Sequence, residues 1–274
     1  MKKLTSYKWT LIVPVVFLFA TNVFAFEVIS RDPGTIDRGL QNNQLKRLKS
    51  GVFNDHTYQI IKDPTGSAPT KLVERFEARF DDCDPIRRHG KSLTTDCNSG
   101  RTRTEVAPQV LTLKQQWSKP SPKEFWYGYS IYFPEDYVSQ SKYVAPYLVQ
   151  FWQGDKGESG PAPTINFAES SGVFRGNGSQ ISAGEELRGK WYRVEMHIRW
   201  STSSDGFVRI YADNRLVFEI ENARTANRDK VFLKYGIYRH KDVTTVYPPD
   251  YKYPTQVVYF SNFKIAKTRE ALAP

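Results

Sequence analysis

Runs in which apolar and polar residues alternate recur along most of this 274-residue chain. In the segment Trp191–Trp200, the apolar residues Val194, Met196 and Ile198 alternate with charged side chains. This period of two is typical of a β-strand with one buried face and one solvated face. Similar runs follow one another from Val73 to Ala266 and are separated by Pro, Gly, Asn and Asp. The pattern therefore predicts many strands joined by turns.

One predicted hairpin is especially well defined, because Asp213-Asn214 stands between the alternating runs 207–212 and 215–219. Helical periodicity is confined to two short segments, 41–50 and 268–272. No Pro-rich or Ser-rich linker divides the chain. We therefore predict an all-β fold, an antiparallel β-sandwich of jelly-roll type, as a single domain over residues 26–274.

Three of the predicted strands carry polar and aromatic side chains on one face. They contain the strings Arg103-Thr104-Glu105, Gln150-Phe151-Trp152 and Lys234-Tyr235-Gly236-Ile237-Tyr238. Alternate residues of a strand share a face, so Arg103 lies beside Glu105 and Lys234 lies on the same side as Tyr238. If the three strands belong to one sheet, they bring guanidinium, amide, ammonium and phenol groups together. That combination suits an acidic, hydroxyl-rich ligand such as a uronic-acid polysaccharide.

The N-terminus has the features of a secretory signal peptide over residues 1–25. Lysines near the start are followed by an apolar run, residues 11–20, and the segment ends in Val23-Phe24-Ala25. The apolar run is shorter than the roughly 20 residues that span a bilayer. We expect a secreted or periplasmic bacterial protein with a Sec-type signal and no stable membrane association; an uncleaved N-terminal anchor is the alternative.

The chain is basic, with a formal net charge of +10 at pH 7. Residues 1–25 hold three lysines and no acidic residue, so their removal leaves about +7. This charge favours an anionic partner, although it is also a common cause of solubility. We do not expect nucleic acid as a partner, because the basic residues are scattered and form no nucleic-acid-binding signature. We expect a monomer.

The two cysteines, Cys83 and Cys97, are an even pair in a chain that we expect to be exported. We therefore predict a disulfide between them. It would close a loop of roughly 15 residues and stabilise the fold by about 3 kcal/mol on the chain-entropy estimate. Asp81, Asp82 and Asp84 lie beside Cys83, which makes Ca²⁺ an option. We predict no metal and no cofactor, because acidic loops are most often only solvated.

In their order along the chain, the three polar strings resemble strands of the jelly-roll polysaccharide lyases. Arg103-Thr104-Glu105 resembles an Arg-Ser/Thr-Glu strand, and Lys234–Tyr238 resembles a Lys-x-Gly-x-Tyr strand. The segment Trp191–Trp200, followed by Asp205-Gly206 and a hairpin, is similar to the heparin lyase I-like and glucuronan lyase group, and alginate lyases are more distant. The resemblance covers residues 103–263. It implies a concave substrate groove and cleavage of glucuronan, a heparin-like polymer or alginate by β-elimination.

β-Elimination requires that the uronate carboxylate be neutralised before the C5 proton is removed. The resemblance implies that Arg103 and Gln150 stabilise the enolate-like charge that develops. Tyr238 would protonate the leaving C4 oxygen. Lys234 would contact the substrate and favour the phenolate form of Tyr238, and Glu105 would orient Arg103 or Lys234 beside the substrate.

The base that removes the C5 proton is the open assignment. This chain has Trp152 where the Gln-x-His pattern of alginate lyases has histidine. We rank His197, on the polar face of a predicted strand, and His89, in the loop between the cysteines, above His240. Tyr238 acting as both base and acid is the alternative.

Further substrate contacts are expected beside these groups. Trp152 would stack on a pyranose ring, and Arg239 and Lys241 would contact sugar carboxylates. Gly236 would leave room for the sugar by lacking a side chain.

Two other functions stay open on the sequence alone. A non-catalytic carbohydrate-binding protein would use the same polar face without turnover. A glycoside hydrolase would need two carboxylates at a suitable separation. It is the weaker alternative, because the chain contains no Glu-x-Asp-x-x-Glu strand. A Ser nucleophile is unsupported as well, since no Gly-x-Ser-x-Gly elbow is present.

Overall fold

The computed structural model describes residues 28–31, 49–51, 55–80, 82, 101–106, 124–139, 146–153, 166–170, 173–177, 179–182, 187–226, 231–240, 252 and 254–273. Within these ranges the chain forms fifteen β-strands and one 3-10 helix, Glu270–Leu272. The strands are β1 Val28–Arg31, β2 Lys49–Gly51, β3 Tyr58–Lys62, β4 Leu72–Ala78, β5 Arg101–Val106, β6 Glu124–Tyr132, β7 Tyr147–Gln153, β8 Asn166–Ser170, β9 Val173–Gly176, β10 Ser179–Gln180, β11 Trp191–Arg199, β12 Gly206–Ala212, β13 Arg215–Ala223, β14 Val231–His240 and β15 Gln256–Ala266.

The strands form two antiparallel sheets. The eight-stranded sheet has the order β13-β12-β11-β6-β15-β4-β3, with β1 pairing alongside β15. The seven-stranded sheet has the order β10-β9-β8-β7-β14-β5-β2. The predicted all-β antiparallel sandwich is therefore confirmed.

The inner faces of the two sheets meet in a core that is rich in aromatic rings. The Phe151 ring of the seven-stranded sheet lies 4.9 Å from the Tyr127 ring of the opposite sheet, edge to face. Tyr235 of β14 stacks on Phe263 of β15 with their centroids 4.3 Å apart. The Tyr235 hydroxyl also donates a 2.6 Å hydrogen bond to Glu74 Oε2 of β4, which joins the sheets through a buried polar contact. Aromatic pairs of this kind contribute about 0.5–1.5 kcal/mol beyond their buried area.

The observed strands follow the alternation in the sequence. Strand β11 alternates between half-buried and buried residues along its whole length. The predicted hairpin is formed by β12 and β13, and Asp213 and Asn214 at its tip have φ values of 45° and 67°. Two consecutive residues with positive φ are the signature of the type I′ turn, whose twist matches that of the paired strands.

The two helix predictions have different outcomes. Residues 270–272, within the predicted segment 268–272, form the 3-10 helix. Residues 49–51 are strand β2 rather than the end of a helix over 41–50, because they pair with β5; residues 41–48 lie outside the described residues. In the part of the chain that the structure describes, no helix is long and apolar enough to cross a membrane. The predicted signal peptide lies outside that part.

Candidate active site

Strands β5, β14 and β7 lie side by side in the seven-stranded sheet, so the three polar strings do share one sheet. Tyr238 on the central strand pairs with Arg103 on β5 and with Tyr147 on β7. Lys234, four residues before Tyr238 on β14, pairs with Gln150 of β7. The residues Arg103, Glu105, Tyr147, Gln150, Lys234 and Tyr238 are called the polar face below.

The Tyr238 ring has a neighbour on each of the two adjacent strands. The guanidinium carbon of Arg103 lies 4.8 Å from its centroid, within the range of a cation–π contact. The Tyr147 ring stacks on it with a centroid distance of 6.1 Å and an interplanar angle of 24°. A guanidinium has N–H donors in a planar fork that can bind a carboxylate while the group also contacts an aromatic ring.

Gln150 and Glu105 are bonded to each other across the central strand. Gln150 Nε2 donates a hydrogen bond to Glu105 Oε1. The two side chains are 7% and 1% exposed, respectively. Glu105 Oε2 has no hydrogen-bond partner among the described residues. We expected Glu105 to orient Arg103 or Lys234, but its described partner is the amide of Gln150.

This bond spans β14 beside Gly236, which pairs with Glu105. Gly236 has a φ of +134°, and an added Cβ would clash with the carbonyl oxygen of Thr104. The same Cβ would lie 2.9 Å from Cδ1 of the core ring Phe76. Our explanation for this glycine was therefore wrong, because the side chain would meet the neighbouring backbone and the core rather than a bound sugar.

Arg239 is not part of the polar face. Its side chain is fully buried, and its guanidinium donates 2.7 Å hydrogen bonds to the carbonyl oxygens of Pro254 and Arg79. As the residue after Tyr238 in a strand, it points to the opposite side of the sheet. The prediction that Arg239 contacts sugar carboxylates was therefore wrong.

His197 lies in the other sheet, on strand β11. It pairs with Trp126 of β6, and the two rings stack with centroids 4.1 Å apart. Its Nε2 lies 2.7 Å from Glu124 Oε1. Burial lowers the pKa of His197, aided by the charges of Arg209 and Arg199, and this outweighs the effect of Glu124.

The prediction of His197 as the base was wrong, because its side chain and the polar face are on opposite outer surfaces of the sandwich. Residues of β11 with the parity of His197 are half-buried, whereas those of the other parity fill the core. Two packed sheets are about 10 Å apart, so no side chain on one outer face reaches a ligand on the other.

Several predicted site residues lie where the structure gives no side-chain information. His89, Lys241, Cys83 and Cys97 lie outside the described residues. Trp152 and His240 belong to strands β7 and β14, but the structure describes only their backbone. Their predicted roles, and the predicted disulfide, stay predictions.

The acidic cluster near the cysteines is described at one position. Asp82 accepts a hydrogen bond from His56 Nε2 at 2.9 Å, and its Oδ2 also accepts one from the backbone N–H of Arg79 at 2.7 Å. Asp81 and Asp84 lie outside the described residues. Among the residues that are described, no group of three or more His, Cys, Asp or Glu side chains is arranged to hold a metal ion.

Tyr147 is the member of the polar face that the sequence did not reveal. In an unbroken strand, Tyr147 and Gln150 point to opposite sides because they are three residues apart. The pairing of β7 with β8 shifts register between Tyr147 and Val149, and the pairing with β14 shifts between Tyr235 and Tyr238. These irregularities bring the Tyr147 ring onto the same side as Tyr238. The one feature of the sequence that could have indicated Tyr147 is that an aromatic residue begins the predicted strand.

The polar face combines two kinds of group that proton chemistry on an acid requires. Arg103, Lys234 and the Gln150 amide provide positive charge and N–H donors, which stabilise a carboxylate or an enolate. Tyr238 provides a hydroxyl that can take up or release a proton.

Comparison with known proteins gives one family and several similar folds. A family model described as polysaccharide lyase matches residues 32–264. Comparison with curated protein sequences gives no significant match. The endo-β-1,4-glucuronan lyase from the fungus Trichoderma reesei has a similar structure, with 17% identity, a TM-score of 0.57 and coverage of 83% of this chain and 92% of that chain.

Two alginate lyases align with lower structural similarity. Alginate lyase Aly36B has 13% identity and a TM-score of 0.49, over 89% of this chain and 94% of that one. The alginate lyase from Aplysia kurodai has 13% identity and a TM-score of 0.42, over 78% and 88% of the two chains. The predicted jelly-roll fold is confirmed by the glucuronan lyase structure together with the two antiparallel sheets.

Proposed function

This chain belongs to the polysaccharide lyase family, which its residues 32–264 match, and we propose that it cleaves a uronic-acid polysaccharide by β-elimination on the polar face. The enzyme class follows from the family. The observation that supports the proposed site is that Tyr238 and Arg103 are in contact, in the same sheet as the buried Gln150–Glu105 pair.

Binding of the uronate carboxylate is the first step of the proposed mechanism. The N–H groups of Arg103 and the second N–H of the Gln150 amide bind the carboxylate beside the scissile bond. Neutralising this charge lowers the cost of forming an enolate at C5, for which preorganised donors commonly provide several kcal/mol. Glu105 holds the amide nitrogen of Gln150 and thereby directs its free N–H to the substrate.

Tyr238 serves as both base and acid in this mechanism. His197 lies on the outer face of the opposite sheet, so we infer that Tyr238 performs both proton transfers, which is the alternative that the sequence leaves open. Its phenolate takes the C5 proton, the electrons of that C–H bond form the C4=C5 double bond, and the C4–O bond breaks. The resulting phenol then protonates the departing oxygen. The net result is the transfer of one proton from C5 to the leaving oxygen, which regenerates the phenolate.

The polymer to test first is β-1,4-glucuronan, because the enzyme from Trichoderma reesei, a glucuronan lyase, has a similar fold over most of both chains. Alginate and heparin-like polymers carry the same carboxylate and belong in the same panel. We further propose that the protein is exported, which its N-terminal segment supports, and that it acts as a monomer without a metal or cofactor.

The experiment that tests the function combines substrate cleavage with one substitution. Elimination leaves an unsaturated uronate, whose ultraviolet absorbance is followed while the purified protein is incubated with each polymer. Tyr238→Phe removes the hydroxyl and keeps the ring between Arg103 and Tyr147. We expect turnover to fall by about 10²–10⁴-fold, the usual contribution of a general acid or base, with substrate affinity nearly unchanged.

Tyr211→Phe is the matched control, since Tyr211 is a half-buried tyrosine on strand β12 of the opposite sheet. This variant should keep wild-type turnover. Full turnover in Tyr238→Phe would refute the role of Tyr238. New reducing ends without unsaturated product would identify a hydrolase, and binding without cleavage would identify a carbohydrate-binding protein.

A further inference from the structure

We propose that Tyr147 is a positioning residue for the elimination, and that its ring fixes the orientation of the Tyr238 phenol; this inference rests on the proposed function. Three strands contribute to the arrangement. The guanidinium carbon of Arg103, on β5, lies 4.8 Å from the centroid of the Tyr238 ring. The Tyr147 ring, on β7, stacks on the Tyr238 ring with a centroid distance of 6.1 Å and an interplanar angle of 24°. Tyr238 is the direct cross-strand partner of both Arg103 and Tyr147.

The reaction makes a strict demand on the position of this phenol. A single hydroxyl has to reach the C5 proton and then the leaving oxygen on the neighbouring carbon. A displacement of about 1 Å in such an arrangement costs on the order of 100-fold in rate. Tyr238 is half-buried on an outer face, so the groups that contact its ring, Arg103 and Tyr147 among them, contribute to its orientation.

The strand irregularity at Tyr147 points to the same role. The register of β7 shifts on both of its edges beside Tyr147, towards β8 and towards β14. Such irregularities re-aim side chains and are common next to active sites. Without the shifts, the period of two would direct Tyr147 away from Tyr238 and Gln150.

It is the ring face of Tyr147, not its hydroxyl, that contacts Tyr238. This distinction separates a positioning residue from a second proton-transfer group. Tyr147→Phe retains the ring and should keep turnover within about threefold of the wild type. Tyr147→Leu retains much of the volume but has no flat face, and Tyr147→Ala removes the ring; both should lower kcat by about 10–100-fold. KM should change by less than about threefold in all variants, since the carboxylate-binding groups remain.

The control for a general packing effect is Tyr132→Leu. Tyr132 is a half-buried tyrosine of β6, in the eight-stranded sheet opposite the polar face. Its ring centroid lies 5.4 Å from that of its cross-strand partner Trp191. We expect this variant to lose stability without losing kcat. Unfolding by urea is measured for every variant, and kinetics are recorded under conditions in which each is folded.

The outcomes distinguish this inference from the proposed function. A wild-type protein that yields no unsaturated product, or a Tyr238→Phe variant with full turnover, refutes the proposed function itself. If those tests succeed, equal losses in Tyr147→Phe and Tyr147→Ala would show that the Tyr147 hydroxyl takes part in the chemistry and overturn the positioning role. Wild-type kcat in Tyr147→Leu, or a rise in KM alone, would also overturn it.

Discussion

The carboxylate of Glu105 orients the side-chain amide of Gln150. A glutamine amide presents an oxygen at one end and two N–H groups at the other, and a carboxylate accepts hydrogen bonds only from the nitrogen end. Glu105 is 1% exposed and accepts from Gln150 Nε2. The amide of Gln150 is therefore held in one of its two orientations, with its nitrogen towards Glu105.

Removing this carboxylate should impair catalysis more than binding. Glu105→Ala frees the Gln150 amide to rotate, so we expect kcat to fall by about 10-fold. The free energy of unfolding should fall by about 1–3 kcal/mol, because a buried donor loses its acceptor. Glu219→Ala is the control, since Glu219 is an exposed carboxylate paired with Arg209 on the opposite sheet. Steady-state kinetics and urea unfolding measure both effects, and a wild-type kcat in Glu105→Ala would contradict the orienting role.

At the residue scale, the strand period predicted much of the polar face. It placed Arg103 with Glu105 and Lys234 with Tyr238, as the half-buried Lys234 and Tyr238 of β14 bear out. The same period would have excluded Arg239, which is one residue out of phase and points into the interior. Its charge suggested the surface, but hydrogen bonds to two backbone carbonyl oxygens compensate for the burial of that charge.

At the scale of elements, β14 is the strand on which the site is built, because it pairs with both β5 and β7. Which strands neighbour each other depends on contacts between distant segments, and no local pattern encodes them. The register shifts beside Tyr147 have the same origin. The existence and facing of the longer strands, such as β11 and β14, were therefore predictable from the sequence, whereas the short strand β2, the sheet order and the position of Tyr147 were not.

Gly236 is the point at which β14 tolerates least change. Gly236→Ala places a methyl group against the Thr104 carbonyl and forces alanine into a φ of +134°. We expect the free energy of unfolding to fall by about 2–4 kcal/mol, from strain together with overpacking. Gly66→Ala is the matched control, because Gly66 has a φ of +71° and nothing lies within 4 Å of its added Cβ. That variant should lose only about 1–2 kcal/mol.

Chemical denaturation followed by fluorescence or circular dichroism compares the two glycine variants. Equal losses would mean that backbone conformation alone, and not the closeness of β5, requires glycine at position 236.

At the scale of the whole molecule, the two outer faces have different chemistry. The outer side of the eight-stranded sheet carries ion pairs between neighbouring strands, such as Arg209 with Glu219 and Arg199 with Glu124. The outer side of the seven-stranded sheet carries the polar face. The sequence predicted polar strand faces in both sheets without showing which strands share a sheet. His197 was therefore assigned to the polar face, although it lies on the outer side of the other sheet.

His197 should affect the pH dependence of stability rather than catalysis. Burial holds its pKa below the ordinary value of 6.5, so between the folded-state pKa and 6.5 the unfolded chain binds more protons. The free energy of unfolding should therefore fall as the pH drops below about 6.5. The pKa of Glu124 is also lowered, by hydrogen bonds from Arg199 and His197 that outweigh its burial, so further stability is lost at still lower pH.

The measurement is urea unfolding at about pH 7.5 and about pH 5.5 for the wild type and His197→Gln. The variant removes the titrating ring and retains an N–H donor for Glu124, so its stability should depend less on pH. Its kcat at neutral pH should equal that of the wild type. A large loss of kcat in a folded His197→Gln protein would restore His197 as a candidate base.

The hydrogen bond from Tyr235 to Glu74 has a consequence for the opposite side of its strand. A slip of β14 by two residues would keep every side chain on its own face, so the apolar pattern alone does not forbid it. Such a slip would carry the Tyr235 hydroxyl away from Glu74 and would break a buried hydrogen bond between the sheets. A contact inside the core therefore favours the register in which Arg103 of β5 stands opposite Tyr238.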